Sequence, residues 1–256
     1  MNITDTYCIV LLTNYSYFDK MIYTLNNILK HNYKGDICIV IGDDLLNTSK
    51  LNDTPLLKAP NIQIKHFSDI KFSEKFLLNF NNLNRNNIWK EKIFQYHKFY
   101  IFDTFFKQWD YIFYIDSGIN IFSSLQPILD SAKPNKFLAH SDAYPDYQWK
   151  LETQFAAENN IFDKLKQKYN LNIDYPQTTI MLYNTSIIDE NTVNDLISLA
   201  EEFSISKTND QGIIALYFTC IKKNWEQIQL GDEKTWYYDY LLRPEKSNKK
   251  HIMLKI

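Results

Sequence analysis

The sequence predicts an α/β protein with a central, mainly parallel sheet flanked by helices. Three observations predict it. Short apolar runs at residues 7–12, 36–41 and 111–115 read as strands, the first with the pattern of a strand buried on both faces and the last as the central strand. Segments of helical period separate these runs. Polar or acidic loops stand at their carboxyl ends, where open α/β sheets bind ligands.

The elements follow in order. After the first apolar run, the loop Thr13-Asn14-Tyr15-Ser16 leads into a helix carrying Met21, Ile22, Leu25, Ile28 and Leu29 on one side. Lys34-Gly35 reads as the next turn, and Gly42-Asp43-Asp44 closes the second strand. Residues 62–66 alternate as a third strand, and the Asn-rich stretch 72–87 reads as short helix and loop. From 89 to 106 the recurrence of Ile93, Phe94, Phe99, Phe102 and Phe106 predicts a long helix before the central strand 111–115.

The second half is less regular. Strands are expected at 136–139 and 178–183, with helices over 144–169 (broken near 159–160), 187–203 and 211–222. Asn209 or Asp210 is placed to cap the last helix. The absence of a repeat or a linker rich in Gly, Pro or Ser predicts one domain over 1–256, with a nucleotide half to about 125 and an acceptor half beyond it.

Composition narrows the function classes. A formal net charge of -2 gives no basic footprint for nucleic acid. No apolar stretch approaches the roughly 18 residues of a membrane span, and the start of the chain lacks the pattern of a signal peptide. Cys8, Cys38 and Cys220 have no metal-ligand spacing, and the first two lie in apolar runs as buried hydrophobes. Acceptor sequons occur at Asn2, Asn14, Asn47, Asn52 and Asn184. A glycan on Asn14 would fall in the predicted ligand loop, so a cytoplasmic location is expected.

The chemistry centres on Tyr114-Ile115-Asp116-Ser117-Gly118. Five apolar residues run straight into an aspartate held on a rigid element, suited to a divalent cation that neutralises a diphosphate. Asp-Ser-Gly is equally good turn chemistry between two strands, and both readings stay open.

The stretch from Lys98 to Leu129 resembles the metal-binding region of GT-A glycosyltransferases, especially the glycogenin-like family 8. That family has a helix, an aromatic strand ending in Asp-x-Asp, then a short strand and a helix. Asp116 matches the first aspartate, and Gly118 stands where the second would be. Three further segments are similar in the same order, with Asp142 a lesser candidate that reads equally as an exposed loop before Pro145. Thr13-Asn14-x-x-Tyr17 resembles the loop that grips uracil and ribose. Asp142 in His140-Ser141-Asp142 fits a position that hydrogen-bonds the donor sugar. Asp210-Gln211, after a strand similar to the family's internal strand, resembles the pair at the reacting carbon. His251 and Lys255 resemble a closing segment whose His completes the metal site and whose Lys holds the diphosphate.

The resemblance implies a GT-A fold with a Rossmann-like nucleotide half and retaining transfer of a sugar from a UDP-sugar to a glycan or protein. It implies Mn²⁺ or Mg²⁺ at Asp116 and His251, a requirement that Gly118 puts in question. Lys98 (or Lys92) is a further candidate for phosphate or sugar, against the plainer reading of a solvated helix face. Two alternatives stand beside the transferase. One is a non-catalytic nucleotide-sugar or carbohydrate-binding relative, which the missing second aspartate supports. The other is a sugar nucleotidyltransferase, which usually has a Gly-rich first loop, whereas this chain has five glycines and none before Gly35.

Overall fold

The computed structural model describes residues 5–84, 90–141, 149–157, 160–239 and 250–255. The strands are β1 (Tyr7–Thr13), β2 (Asp36–Ile41), β3 (Ile62–His66), β4 (Tyr111–Ile115), β5 (Ile119–Ile121), β6 (Phe137–Ser141), β7 (Pro176–Asn184), β8 (Trp225–Gln227), β9 (Thr235–Asp239) and β10 (Lys250–Lys255). The main sheet has the order β3-β2-β1-β4-β7-β6-β8, and β7 alone runs against its neighbours. A second sheet, β5-β10-β9, holds the short strand after Asp116.

The apolar runs are continuous because both faces of the main sheet are covered. On β1, Cys8, Val10 and Leu12 join one core while Ile9 and Leu11 join another. β2 divides in the same way, with Cys38 and Val40 opposite Ile37, Ile39 and Ile41, and so does β4, with Ile112 and Tyr114 opposite Phe113 and Ile115. This is period-two alternation between two buried layers, not between core and solvent.

The helices are α1 (Phe18–Lys30), α2 (Ser49–Asn52), α3 (Glu74–Leu83), α4 (Gln126–Leu129), α5 (Asn160–Lys168), α6 (Thr192–Glu202) and α7 (Asp210–Leu216). Buried Met21, Leu25 and Ile28 seat α1 against the sheet as the pattern predicts. Among the described residues no helix is long and apolar enough to cross a membrane.

Several expectations need correction. The expected long helix from 89 is a run of 3-10 turns, Lys90–Phe102, followed by a second at Thr104–Gln108. With three residues per turn, side chains eclipse every third position. Tyr96, Phe99 and Phe102 therefore line up in the core, while Phe94 stacks on His97, which meets Tyr100 edge-on. The helix expected at 187–203 begins only at Thr192, and the one expected at 211–222 is α7 running into a π turn at Tyr217–Ile221. The expected helices over 144–169 appear as a 3-10 turn, Leu151–Gln154, and α5; residues 142–148 and 158–159 lie outside the described residues. Strands β8 and β9 were not foreseen.

Candidate active site

The sheet order fixes where a ligand can enter. From β1 the chain winds outward through β2 and β3, and β4 then returns to the other side of β1. The crevice beyond the carboxyl ends of β1 and β4 is thus a topological switch point, the usual ligand site of such sheets. A cleft of about 480 Å³ opens there, lined by Leu12 from β1, Tyr114 and Asp116 from β4, Thr178 from β7 and Asp210 from α7, among others.

Asp116 sits where the strand ends. Its backbone N–H still donates to Thr179 O at 2.9 Å, so β4 carries it rigidly. The next two residues turn. Ser117 Oγ donates to Leu12 O at 2.9 Å, tying the turn to β1, and Gly118 has φ of +89°. Turn and site are therefore the same three residues. The N–H groups of Gly118 and Ile119 both donate to Thr24 Oγ1, at 2.9 and 3.1 Å, so the glycine does not offer its N–H to a ligand. A left-handed φ and open space are what it supplies. A Cβ there would meet only Lys20 Cδ, at 3.8 Å.

The floor of the cleft is an ion triad. Lys98 Nζ lies 3.1 Å from Asp116 Oδ1 and 3.0 Å from Asp210 Oδ2. Their side chains are 8%, 21% and 5% exposed, so the reading of Lys98 as a solvated helix face is overturned. The 3-10 period explains it, because a three-residue turn brings Gln95 and Lys98 to the same edge, and both line the cleft. Lys92 is not among the lining residues.

The triad is tightly satisfied. Lys98 Nζ also donates to Thr178 O, at 3.3 Å, and lies 5.1 Å from the Tyr114 ring centroid. Tyr114 OH donates to Asp116 Oδ1 at 2.7 Å, and Thr178 Oγ1 to Asp210 Oδ2 at 3.1 Å. Burial pulls the Lys98 pKa down, but the two carboxylates outweigh it and hold the ammonium above the ordinary lysine value. For Asp210, burial raises the pKa further than Lys98 lowers it. A cation held between two carboxylates at 3.0 and 3.1 Å is nonetheless the charge state these distances require.

The expected N-cap is not made by a side chain. Asn209, at the cap position of α7, has φ 53° and ψ -115° and no capping hydrogen bond. Such a conformation costs on the order of 1–3 kcal/mol. It is held by Asn209 Nδ2 donating to Gln95 Oε1 at 2.6 Å and by Ser206 Oγ donating to Asn209 O at 2.7 Å. The result turns Asp210 inward to Lys98. Gln211 beside it is fixed at both ends, accepting from Thr178 N at 3.3 Å and donating to Gln154 Oε1 at 3.0 Å.

The structure thus gathers Tyr17, Lys98, Asp116, Asp210 and Gln211 on one cleft. Thr13 and Asn14 are buried just behind it. Asn14 Oδ1 accepts from Tyr17 N at 3.0 Å, and Thr13 Oγ1 donates to Asn14 O at 3.0 Å. Asp142 lies outside the described residues. The carboxyl-terminal segment is a strand, β10, running antiparallel to β5 with Lys255 opposite Ile119, so its backbone reaches the Asp116 turn. His251 is four residues back, roughly 13 Å from Lys255 along an extended strand, and does not line the cleft. Among the described residues no group of three or more His, Cys, Asp or Glu could hold a metal ion. With Gly118 in place of a carboxylate and Lys98 already on Asp116, these residues do not fit the divalent cation that the resemblance implies. The sequence reading missed Lys20, Gln95, Tyr114 and Thr178. Tyr114 had a signal, two residues before Asp116 on the same face of β4.

Comparison with known proteins agrees with this fold. The family model for glycosyl transferase family 8 matches residues 8–251. No curated protein sequence matches the chain significantly. Among solved structures, the bifunctional glycosyltransferase WbbM (apo form) has TM-score 0.59 at 16% identity, covering 99% of this chain and 46% of its own. This chain therefore spans less than half of WbbM. The galactosyltransferase LgtC, in complex with donor and acceptor sugar analogues, has TM-score 0.60 at 10% identity, covering 97% and 86%. The mannosyltransferase Ktr4p from S. cerevisiae, in complex with GDP, has TM-score 0.56 at 10% identity, covering 88% and 69%. At these identities the likeness is one of fold.

Proposed function

Because the chain belongs to glycosyl transferase family 8 and is by that membership a glycosyltransferase, we propose that the Lys98 cleft transfers a sugar from a nucleoside diphosphate donor to a glycan or protein hydroxyl. The observation that carries this reading is the buried Asp116–Lys98–Asp210 triad on the floor of the switch-point crevice. Buried ion triads are costly to assemble, and replacing one with packed hydrophobes is often neutral or stabilising. A triad facing a cleft is thus better explained by chemistry than by stability.

In this reading the nucleoside lies by Tyr17, with uridine favoured by the polar Thr13-Asn14 loop behind it. The diphosphate lies by the Asp116 turn, within reach of β10 and Lys255. Lys98 holds Asp116 and Asp210 in fixed positions, and Asp210, Gln211 and Asp142 orient the donor sugar. The anomeric C–O bond breaks with its electron pair leaving on the nucleoside diphosphate. The acceptor oxygen bonds to the same carbon, and its proton passes to the departing phosphate. Attack on the leaving-group face retains configuration. Groups already oriented toward the growing phosphate charge stabilise the transition state without reorganisation. Asp210 is already ion-paired and nearly fully buried, so we assign it an orienting role and not that of a base.

We place the reaction in the cytoplasm. Asn14 is 4% exposed and bonded to Tyr17, so a glycan on it is incompatible with the fold. A panel of nucleotide sugars, assayed for release of free nucleotide with and without glycan acceptors, tests the activity. Asp116→Asn should abolish release while leaving thermal unfolding near that of the parent. Near-parental turnover in that variant removes Asp116 from the mechanism. Donor binding without turnover of any sugar would favour the binding relative.

A further inference from the structure

A diphosphate needs positive charge, and the triad does not supply it. Two carboxylates and one ammonium leave a net negative floor, with Lys98 enclosed between Asp116 and Asp210. The family likeness would put a divalent cation here, and the residues do not fit one. A different cation is already present. Thr24 clamps α1 onto the Asp116 turn by accepting from Gly118 N and Ile119 N. Lys20 is four residues earlier on the same face of α1. Its stem passes beside the place where a side chain on residue 118 would begin, with Cδ 3.8 Å from that point. Its ammonium lies 5.3 Å from the Tyr17 ring centroid. Lys20, Tyr17 and Gly118 all line the cleft. Among the described residues no carboxylate forms an ion pair with Lys20, unlike its neighbours Lys50 and Lys98.

We propose that Lys20 binds the donor diphosphate directly, at the place left open by the missing second carboxylate, and that nucleoside diphosphate binding here needs no divalent cation. The inference rests on the function proposed above. A site with fewer carboxylates holds a hard cation less well. A lysine on a clamped helix is instead always at hand, a compact charge with three donors for phosphate oxygens. Gly118 supplies its left-handed φ, and a Cβ there would meet the lysine stem only at ordinary contact distance. A carboxylate at 118 would require a cation, and Lys20 is the charge that replaces it.

Calorimetry on the full chain with UDP and GDP, in EDTA and then in Mn²⁺ or Mg²⁺, is the test. At least one nucleotide should bind equally well in EDTA and in metal. Lys20→Met should weaken that binding roughly ten- to hundredfold, the range of a hydrogen bond to a charged group, and Lys20→Arg should keep most of it. Lys20 is exposed, and an unchanged melting curve would show that Lys20→Met still folds. Binding that appears only with metal, or an unchanged affinity in Lys20→Met, overturns the proposal and leaves the transferase reading standing. Failure of every nucleotide and nucleotide sugar to bind in either condition overturns both.

Discussion

Replacing Lys98 with Met tests the centre of the structure. The side chain keeps its length and apolar stem but loses the ammonium that lies 3.1 Å from Asp116 and 3.0 Å from Asp210. Asp210 is 5% exposed and would be left as an uncompensated buried charge. Breaking a buried pair in this way costs about 3–5 kcal/mol. A solvated lysine on a helix face, as the sequence alone favours, would cost about 0.5 kcal/mol or less. The two readings therefore differ severalfold in one urea titration at pH 7. The deficit should also depend on pH. Burial already raises the Asp210 carboxyl, and loss of Lys98 raises it further. A carboxyl whose folded pKa lies above its unfolded value costs stability as pH rises through the folded pKa. The Lys98→Met deficit should therefore shrink as pH falls toward the ordinary carboxylate range. Lys98→Met with Asp210→Asn should recover part of the loss. A deficit under about 1 kcal/mol at pH 7 would refute the buried triad.

Other tests are more local. Burial lowers the His97 imidazole to about 4, so its contribution is complete above the ordinary histidine value and is lost as pH falls through 4. His97→Gln should flatten the loss of unfolding free energy between pH 7 and pH 4 by about 3 kcal/mol; an unchanged slope would show that His97 titrates normally. Gly118→Ala should cost about 1–2 kcal/mol, the penalty of a left-handed residue. Its cause is φ of +89° and not a clash, since the nearest atom to a new Cβ is 3.8 Å away. Gly118→Asn should cost less, because Asn tolerates this region better, and equal urea midpoints for all three chains would remove the conformational argument.

Much of the fold was legible in the sequence because strand burial leaves a local mark. Residues 7–12, 36–41 and 111–115 read as strands, the first of them buried on both faces, and each is divided between two cores. β8 and β9 were missed for different reasons. Trp225–Gln227 is three residues long and its partner β6 lies far back in the sequence, so no local pattern marks it. Thr235–Asp239 follows the turn signal Gly231-Asp232, but its partner β10 runs parallel to it and is reached by a crossover and not by a hairpin. The run Lys90–Phe102 misled for a different reason. Its apolar residues recur in steps of three, from Ile93 through Tyr96 and Phe99 to Phe102, a step that one turn of an α-helix also allows, so a 3-10 period reads as a helical one.

By itself the sequence determined that Asp116 ends a buried strand, that Gly118 follows it and that Asp210-Gln211 opens a helix, because strand ends, turns and helix starts are written in neighbouring residues. The tertiary structure alone decided that Lys98 lies between the two aspartates, that Lys20 passes beside Gly118 and that His251 lies off the cleft. Those placements depend on the eclipsed geometry of a 3-10 turn, on Thr24 clamping a helix to a turn, and on the register of β10 against β5. Each is a relation between segments remote along the chain. Electrostatic energy depends on distance through space, so the charges that meet in the cleft could be known only once the chain had folded.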